Sequence, residues 1–320
     1  MKALLIYILM SLFCFITVQG QPVPSLDEKI PYLVTFGKKA DKKWGDDDNL
    51  QIFFFVVPEK YSSPVYIRIF DPETGGKNDE MKGKFDSKIK FTVYGGLGAH
   101  SSKDAKTINA IGNFRTGTQL VTKTFGVDTA LDNKWLSLGP FNPSEGELQN
   151  DYGGRVFKIV IEGIDGDDGN IYSMYLSSDQ DKNIAIEGGN AFSYEYTFRL
   201  PEKVGSVSHL YPFIPANVIS VKINVYDYDN EGKIRVVTIA RKGEVFSSNK
   251  DQIWDSTKIV IVKEELNTSM DVQFIKKKET KNNNIAVYIT NQFNEVLPFY
   301  TVPIGGIPKF KYKIGIKEIK

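Results

Sequence analysis

Two short stretches of this 320-residue chain gather oxygen ligands at close spacing. In GIDGDDGN (163–170), Asp165, Asp167, Asp168 and Asn170 alternate with glycine, and Glu162 stands just before them. In VYDYDNEGKI (225–234), Asp227, Asp229 and Glu231 occupy alternate positions with Gly232 next. Calcium takes roughly six to eight oxygen ligands, and glycine lets a short loop fold back around the ion. The second stretch opens like an EF-hand loop. Its twelfth position is Thr238, where that motif needs a bidentate glutamate, and no helix pattern flanks it, so an EF-hand is excluded. The competing reading of both stretches is a hairpin turn, because Asp-Gly and Asn-Glu-Gly favour positive φ and satisfy the backbone locally. A third acidic run, Asp46, Asp47 and Asp48 beside Trp44, reads as a solvated loop, with ion binding as its alternative.

Tryptophan on a polar loop can serve as a sugar platform, since the apolar face of a sugar stacks on an aromatic ring. Trp44 in KKWGDDDN and Trp254 in DQIWDST are the candidates, each weighed against ordinary packing. Trp135 lies in an alternating run and reads as core.

Catalytic constellations are missing. A serine triad needs a histidine base, and the chain has only His100 and His209, with no G-x-S-x-G elbow. Two isolated histidines without cysteine do not make a normal zinc site. Paired carboxylates could hydrolyse a glycoside, yet the nearest match to E-x-D-x-x-E, EGELQND (145–151), ends on Asn150 in a loop. The glycine-rich pieces YGGLGA and GPFNPSEG do not lead into helices, so phosphate cradles are excluded and no organic cofactor is expected.

The elements that must position these residues read as strands. Period-two alternation marks 31–36, 50–57, 65–70, 88–94, 118–125, 134–138, 155–162, 171–177 and 192–200, with Gly/Pro/Asn/Asp clusters such as DPETGGKND (71–79) between them. Only 101–111 could be a helix, capped by Ser102 or Asp104. A break near PEKVGSVS (201–208) precedes a second series at 218–228, 233–240, 258–263, 269–276, 284–290 and 297–302. The lysine-rich end, 308–320, reads as an edge strand. The expectation is an all-β protein of two antiparallel β-sandwiches, jelly-roll-like over 21–203 and immunoglobulin-like over 204–320.

Residues 1–20 read as a secretory signal peptide: one lysine, a nearly unbroken apolar run and a small-x-small end before Gln21. Phe13 before Cys14 is not a lipobox, and Cys14, the only cysteine, leaves with the signal. A disulfide-free exported chain, rich in Lys, Asn and Ile, points to a bacterial secreted, periplasmic or cell-surface protein that is not membrane-embedded once the signal is cleaved. Residues 21–203 carry 22 Lys/Arg against 27 Asp/Glu, and 204–320 carry 17 against 12. Neither balance suits nucleic acid.

WLSLGPF (135–141) followed by GGRVFKIVIEGIDGDDGNIYSMYLS (153–177) resembles the later strands of bacterial pre-peptidase C-terminal-type modules. That resemblance implies a secreted accessory β-sandwich, sometimes calcium-stabilised, that accompanies enzymes or binds surface polymers. The leading expectation is therefore a non-catalytic binding protein for polysaccharide or another surface polymer, with calcium as a structural ion. The alternatives are a carboxylate-dependent glycoside hydrolase or lyase, and a structural subunit of a secretion, motility or adhesion assembly.

Overall fold

A computed structural model describes residues 21–228, 231–246 and 252–311. The expected signal peptide, Asp229 and 312–320 lie outside the described residues, and 308–311 form no strand. The strands of the first part are β1 (Gln21–Val23), β2 (Tyr32–Phe36), β3 (Leu50–Pro58), β4 (Val65–Phe70), β5 (Lys88–Gly95), β6 (Thr118–Phe125), β7 (Trp135–Phe141) and β8 (Glu147–Gln149). They continue as β9 (Gly154–Asp165), β10 (Gly169–Ser177), β11 (Asn190–Ser193), β12 (Glu195–Arg199), β13 (Val207–Leu210), β14 (Phe213–Ile214) and β15 (Ser220–Tyr226). The last are β16 (Gly232–Val237), β17 (Glu244–Phe246), β18 (Trp254–Val260), β19 (Thr268–Ser269), β20 (Asp271–Lys276), β21 (Asn284–Asn291) and β22 (Phe299–Tyr300).

The protein is all-β, built from packed antiparallel sheets. One long sheet runs β18-β15-β21-β12-β2-β10-β4-β7, with β1 beside β10. A second runs β22-β11-β3-β9-β5-β6, with β8 beside β9, and a third runs β13-β20-β16-β17. Both smaller sheets pack against the same face of the long one. On β12, Tyr196 meets Phe53 of the second sheet (5.1 Å between ring centroids), and Phe198, two residues on, meets Phe274 of the third (5.8 Å). Period two puts such i, i+2 residues on one face, which explains how a single strand feeds both interfaces. Residues 201–206 link β12 to β13, but the long sheet continues across the expected break at 201–208, since β21 pairs with β12 from Tyr288↔Glu195 to Asn284↔Arg199.

Several local expectations change. The single strand at 192–200 is two: at Tyr194 the chain leaves the second sheet, where β11 pairs with β3, and enters the long one. The expected helix at 101–111 is a loop with one 3₁₀ turn, Lys103–Lys106. That loop covers the outer face of the second sheet, where Phe54, Val160 and Phe114 share an apolar cluster. β9 is thereby buried on both faces. Even Lys158 is fully enclosed, its Nζ donating to the carbonyls of Phe114 (2.7 Å) and Thr116 (2.8 Å).

Candidate functional site

Neither acidic stretch is a hairpin turn. β9 and β10 belong to opposite sheets, as do β15 and β16, so both stretches are corners that carry the chain from one layer to the other. The first corner is tight. A Cβ on Gly163 would sit 1.8 Å from Phe36 O, and one on Gly166, at φ +75°, would sit 2.2 Å from Ser87 Cα. Glycine alone fits both positions.

The corner disperses the expected ligand set. Asp165 pairs with Lys39 at 2.6 Å, and Glu162 pairs with Lys90 at 2.9 Å and with Arg115. Asp168 is fully buried and already saturated: Oδ1 accepts the Lys82 N–H at 2.9 Å, and Oδ2 accepts those of Asp86 (2.7 Å) and Ser87 (3.1 Å). Asp167 lies close to Asp168 and Asp86, but with Asp168 so engaged the group acts as a clamp on the 80–87 loop. Asn170 turns away, its Nδ2 donating to Pro72 O at 3.1 Å. In the second corner Asp227, in the left-handed region at φ 60°, accepts the Gln252 N–H at 2.9 Å. Glu231 pairs with Lys276 at 2.9 Å and with Thr280. Burial opposes ionisation of Glu231, yet these partners bring its carboxyl below the usual range.

Asn170 instead points to a carboxylate cluster that the sequence presents as a plain turn. Asp71, Glu73 and Asp132 each place an oxygen within 4.8 Å of the others. Glu73 is completely buried; Oε2 accepts the Asp128 N–H at 2.9 Å, while Oε1 has no partner. The neighbouring Thr74 Oγ1 and Asn170 Oδ1 are also buried and unpartnered. Asp79 completes the rim, accepting the N–H groups of Gly75 and Ile171 at 2.7 Å each. Burial pushes up the carboxyls of Asp71, Glu73 and Asp79, and for Asp79 the Asp71 and Glu73 charges add to it. An orphaned buried oxygen amid like charges is the environment a hard cation relieves, and the all-oxygen donor set fits calcium.

The tryptophans exchange roles. Trp44 packs against Val34, Phe36 and Ile171, with Lys82 over its indole face. Trp254 stacks edge-on to Tyr288 (4.6 Å) and donates Nε1–H to Asp47 Oδ2 at 2.8 Å. Both are engaged, so neither offers a free platform. Trp135, expected in the core, is half-buried and lines a groove of about 460 Å³ with Tyr175, Pro22, Pro24, Ser173 and Asn183. Its ring centroid is 6.4 Å from that of Tyr175 at 89°, and Arg68 lies 5.3 Å from it.

The histidines serve packing and pairing. His100 sits among Phe54, Tyr152, Phe192 and Tyr194. Burial, with Lys106 next, brings its pKa down to about 4, so the ring is neutral. His209 Nδ1 lies 2.9 Å from Asp271, but Ser208 turns its hydroxyl to Lys29 O at 3.3 Å.

The molecule is thus an all-β protein of stacked antiparallel sheets. Among its described residues no helix is long and apolar enough to cross a membrane. No family model matches the chain, and no curated protein matches it. Among solved structures, that of the infectious bursal disease virus Gx strain is similar at 10% identity and TM-score 0.18, covering 86% of this chain and 76% of that one. The VP2 subviral particle of the same virus is similar at 11% identity and TM-score 0.19, covering 89% and 75%. At those scores neither carries an argument about this protein.

Proposed function

We propose that this is an exported, non-catalytic protein that binds a polysaccharide or related surface polymer, with calcium bracing its acidic loops. The Trp135–Tyr175 groove carries the reading. Two perpendicular aromatic rings and flanking prolines give an apolar floor for a sugar face, and Ser173 and Asn183 supply hydrogen-bonding groups at its rim. The carboxylate cluster around Glu73 lies in the loop that follows β4, the strand beside β7, so an ion there would stiffen the same end of the sheet. The resemblance of 135–177 to secreted accessory modules agrees with this role. Affinity electrophoresis through gels containing neutral or acidic polysaccharides tests it. At least one polymer should retard the protein, and Trp135→Ala should weaken that retardation about tenfold, the loss of roughly 1.4 kcal/mol of ring stacking. No retardation by any polymer, or retardation indifferent to Trp135→Ala, would sink the reading.

One observation favours a second reading. Asp48 and Glu162 line one cleft of about 360 Å³ together with Lys90 and Arg115, and a carboxylate-dependent hydrolase needs two acids across a cleft. It predicts release of reducing sugar that Glu162→Gln abolishes; binding without turnover returns the weight to the first reading.

A further inference from the structure

The loop between β2 and β3 assembles a second group of acids on residues unrelated to the Glu73 cluster. Asp46, Asp47 and Asp48 each bring a carboxylate oxygen within 4.8 Å of the others. Backbone donors hold one oxygen of two of them: Asp46 Oδ1 accepts the N–H groups of Asp48 (3.1 Å) and Asn49 (3.0 Å), and Asp48 Oδ1 accepts that of Leu50 (2.9 Å). Their second oxygens are different. Asp46 Oδ2 and Asp48 Oδ2 are buried without a partner, as is Asn49 Oδ1, and Asp46 as a whole is only 4% exposed.

A fourth carboxylate arrives from far along the chain. Glu195, the first residue of β12, is 7% exposed. Burial and then the charges of Asp48, Asp47 and Asp46 all push its carboxyl well up, and no hydrogen bond or cation opposes them. Burial likewise pushes Asp46 up to about 6 and Asp48 well above the usual range. Three acids thus meet in one loop with unpartnered buried oxygens among them, and Glu195 lies near enough for their charges to act on it.

We propose that Asp46, Asp47 and Asp48 form a binding site for a hard divalent cation, calcium, in the β2–β3 loop beside Glu195 of β12. All donors are oxygen, and neither histidine nor cysteine is present, which disfavours zinc and softer metals. An irregular loop suits the variable geometry of calcium better than the strict octahedron of magnesium. The site also reaches the second half of the chain, because Asp47 Oδ2 accepts the Trp254 indole N–H at 2.8 Å, and Trp254 belongs to β18. Ion binding would thus stiffen a loop that is already fastened to a strand remote in sequence. The inference shares no residue with the Glu73 cluster or the Trp135 groove. It extends to this loop the calcium named in the function proposed above, without resting on the polymer reading, and Asp48 also lines the cleft of the second reading.

Terbium, a luminescent surrogate for calcium, provides the probe, since Trp254 is placed to sensitise an ion beside Asp47. Tryptophan-excited terbium emission should appear in the whole protein and be displaced by calcium chloride. Trp254→Phe should lower the emission of this site, leaving what Trp44 contributes, while calorimetric calcium stoichiometry stays as in the parent. Asp46→Asn and Asp48→Asn should each lower that stoichiometry by a single ion, whereas Glu73→Gln should leave the Trp254-dependent emission intact. The melting temperatures of Asp46→Asn and Asp48→Asn should cross those of the parent: higher in EDTA, where a like charge is relieved, and lower in calcium. Unchanged stoichiometry and emission in both variants would overturn the site. So would melting temperatures lowered equally with and without calcium, because the acids would then be simple backbone caps.

Discussion

Asp168→Ala offers the sharpest test of how the first acidic corner is built. The buried carboxylate accepts three backbone N–H groups from one loop, while Ser87 Oγ accepts the Asp168 N–H at 2.7 Å. The three donors are not equivalent. Ser87 is nearly fully buried, so its N–H would be orphaned, at about 1–3 kcal/mol. Lys82 is half-buried and Asp86 exposed, so their N–H groups can turn to water, and each loses only the net worth of its bond, about 0.5–1.5 kcal/mol. The sum is a loss of about 2–6 kcal/mol. Asp168→Asn keeps one acceptor oxygen and should lose less, about 1–2 kcal/mol. Urea unfolding of both variants, in EDTA and again in calcium, reads these values. A loss under about 1 kcal/mol for Asp168→Ala would refute the clamp. A loss seen only in calcium would make Asp168 an ion ligand instead.

Glu28 sets a pH dependence. Its carboxyl is fully buried, Oε2 accepting the Ser25 N–H at 2.5 Å, and burial pushes its pKa up to about 8 against the hydrogen bonds that lower it. A folded pKa raised above the unfolded one means stability is fully present in acid and is lost as pH rises from about 4.5 through about 8. Glu28→Gln should therefore match the parent in acid and exceed it above pH 8 by several kcal/mol, on the order of 4; urea midpoints that differ by the same amount at every pH refute this. Lys158→Met removes the donor to the Phe114 and Thr116 carbonyls and should speed amide exchange across 112–117, at a cost of about 2–4 kcal/mol; unchanged exchange there counts against the anchoring role. Calcium at about 100 times its dissociation constant should add about 2.7 kcal/mol per site over EDTA in a thermal melt, and Glu73→Gln should remove one such increment. An unmoved parent midpoint would remove structural calcium altogether.

Much of the strand inventory is legible along the chain. In FKIVIEG the alternation places Phe157, Ile159 and Ile161 on one face, and these do enter the main core between the sheets. The same alternation puts Lys158 and Val160 on the other face, where the loop that carries Phe114 and Thr116 encloses them. The candidate ligands show the same limit. Asp165, Asp167, Asp168 and Asn170 are neighbours in sequence, but the corner sends Asp165 to Lys39 and Asn170 to Pro72 and leaves only Asp167 and Asp168 together, beside Asp86. Trp135 alternates like a core residue, yet it stands on β7 at the end of the long sheet, where its ring lines a groove.

The sequence by itself determined the all-β class and the approximate place of most strands, because period-two alternation and turn chemistry act between near neighbours. Only the tertiary structure decided which sheet each strand joins, and hence that the Asp/Gly stretches are corners and that one sheet runs through both halves. Strand pairing is a long-range choice that no local pattern encodes. The same physics separates the acidic groups. Asp71 meets Asp132, and Asp46–Asp48 meet Glu195, only after distant segments pack, so the concentrated charge is a property of the fold rather than of any stretch of the chain.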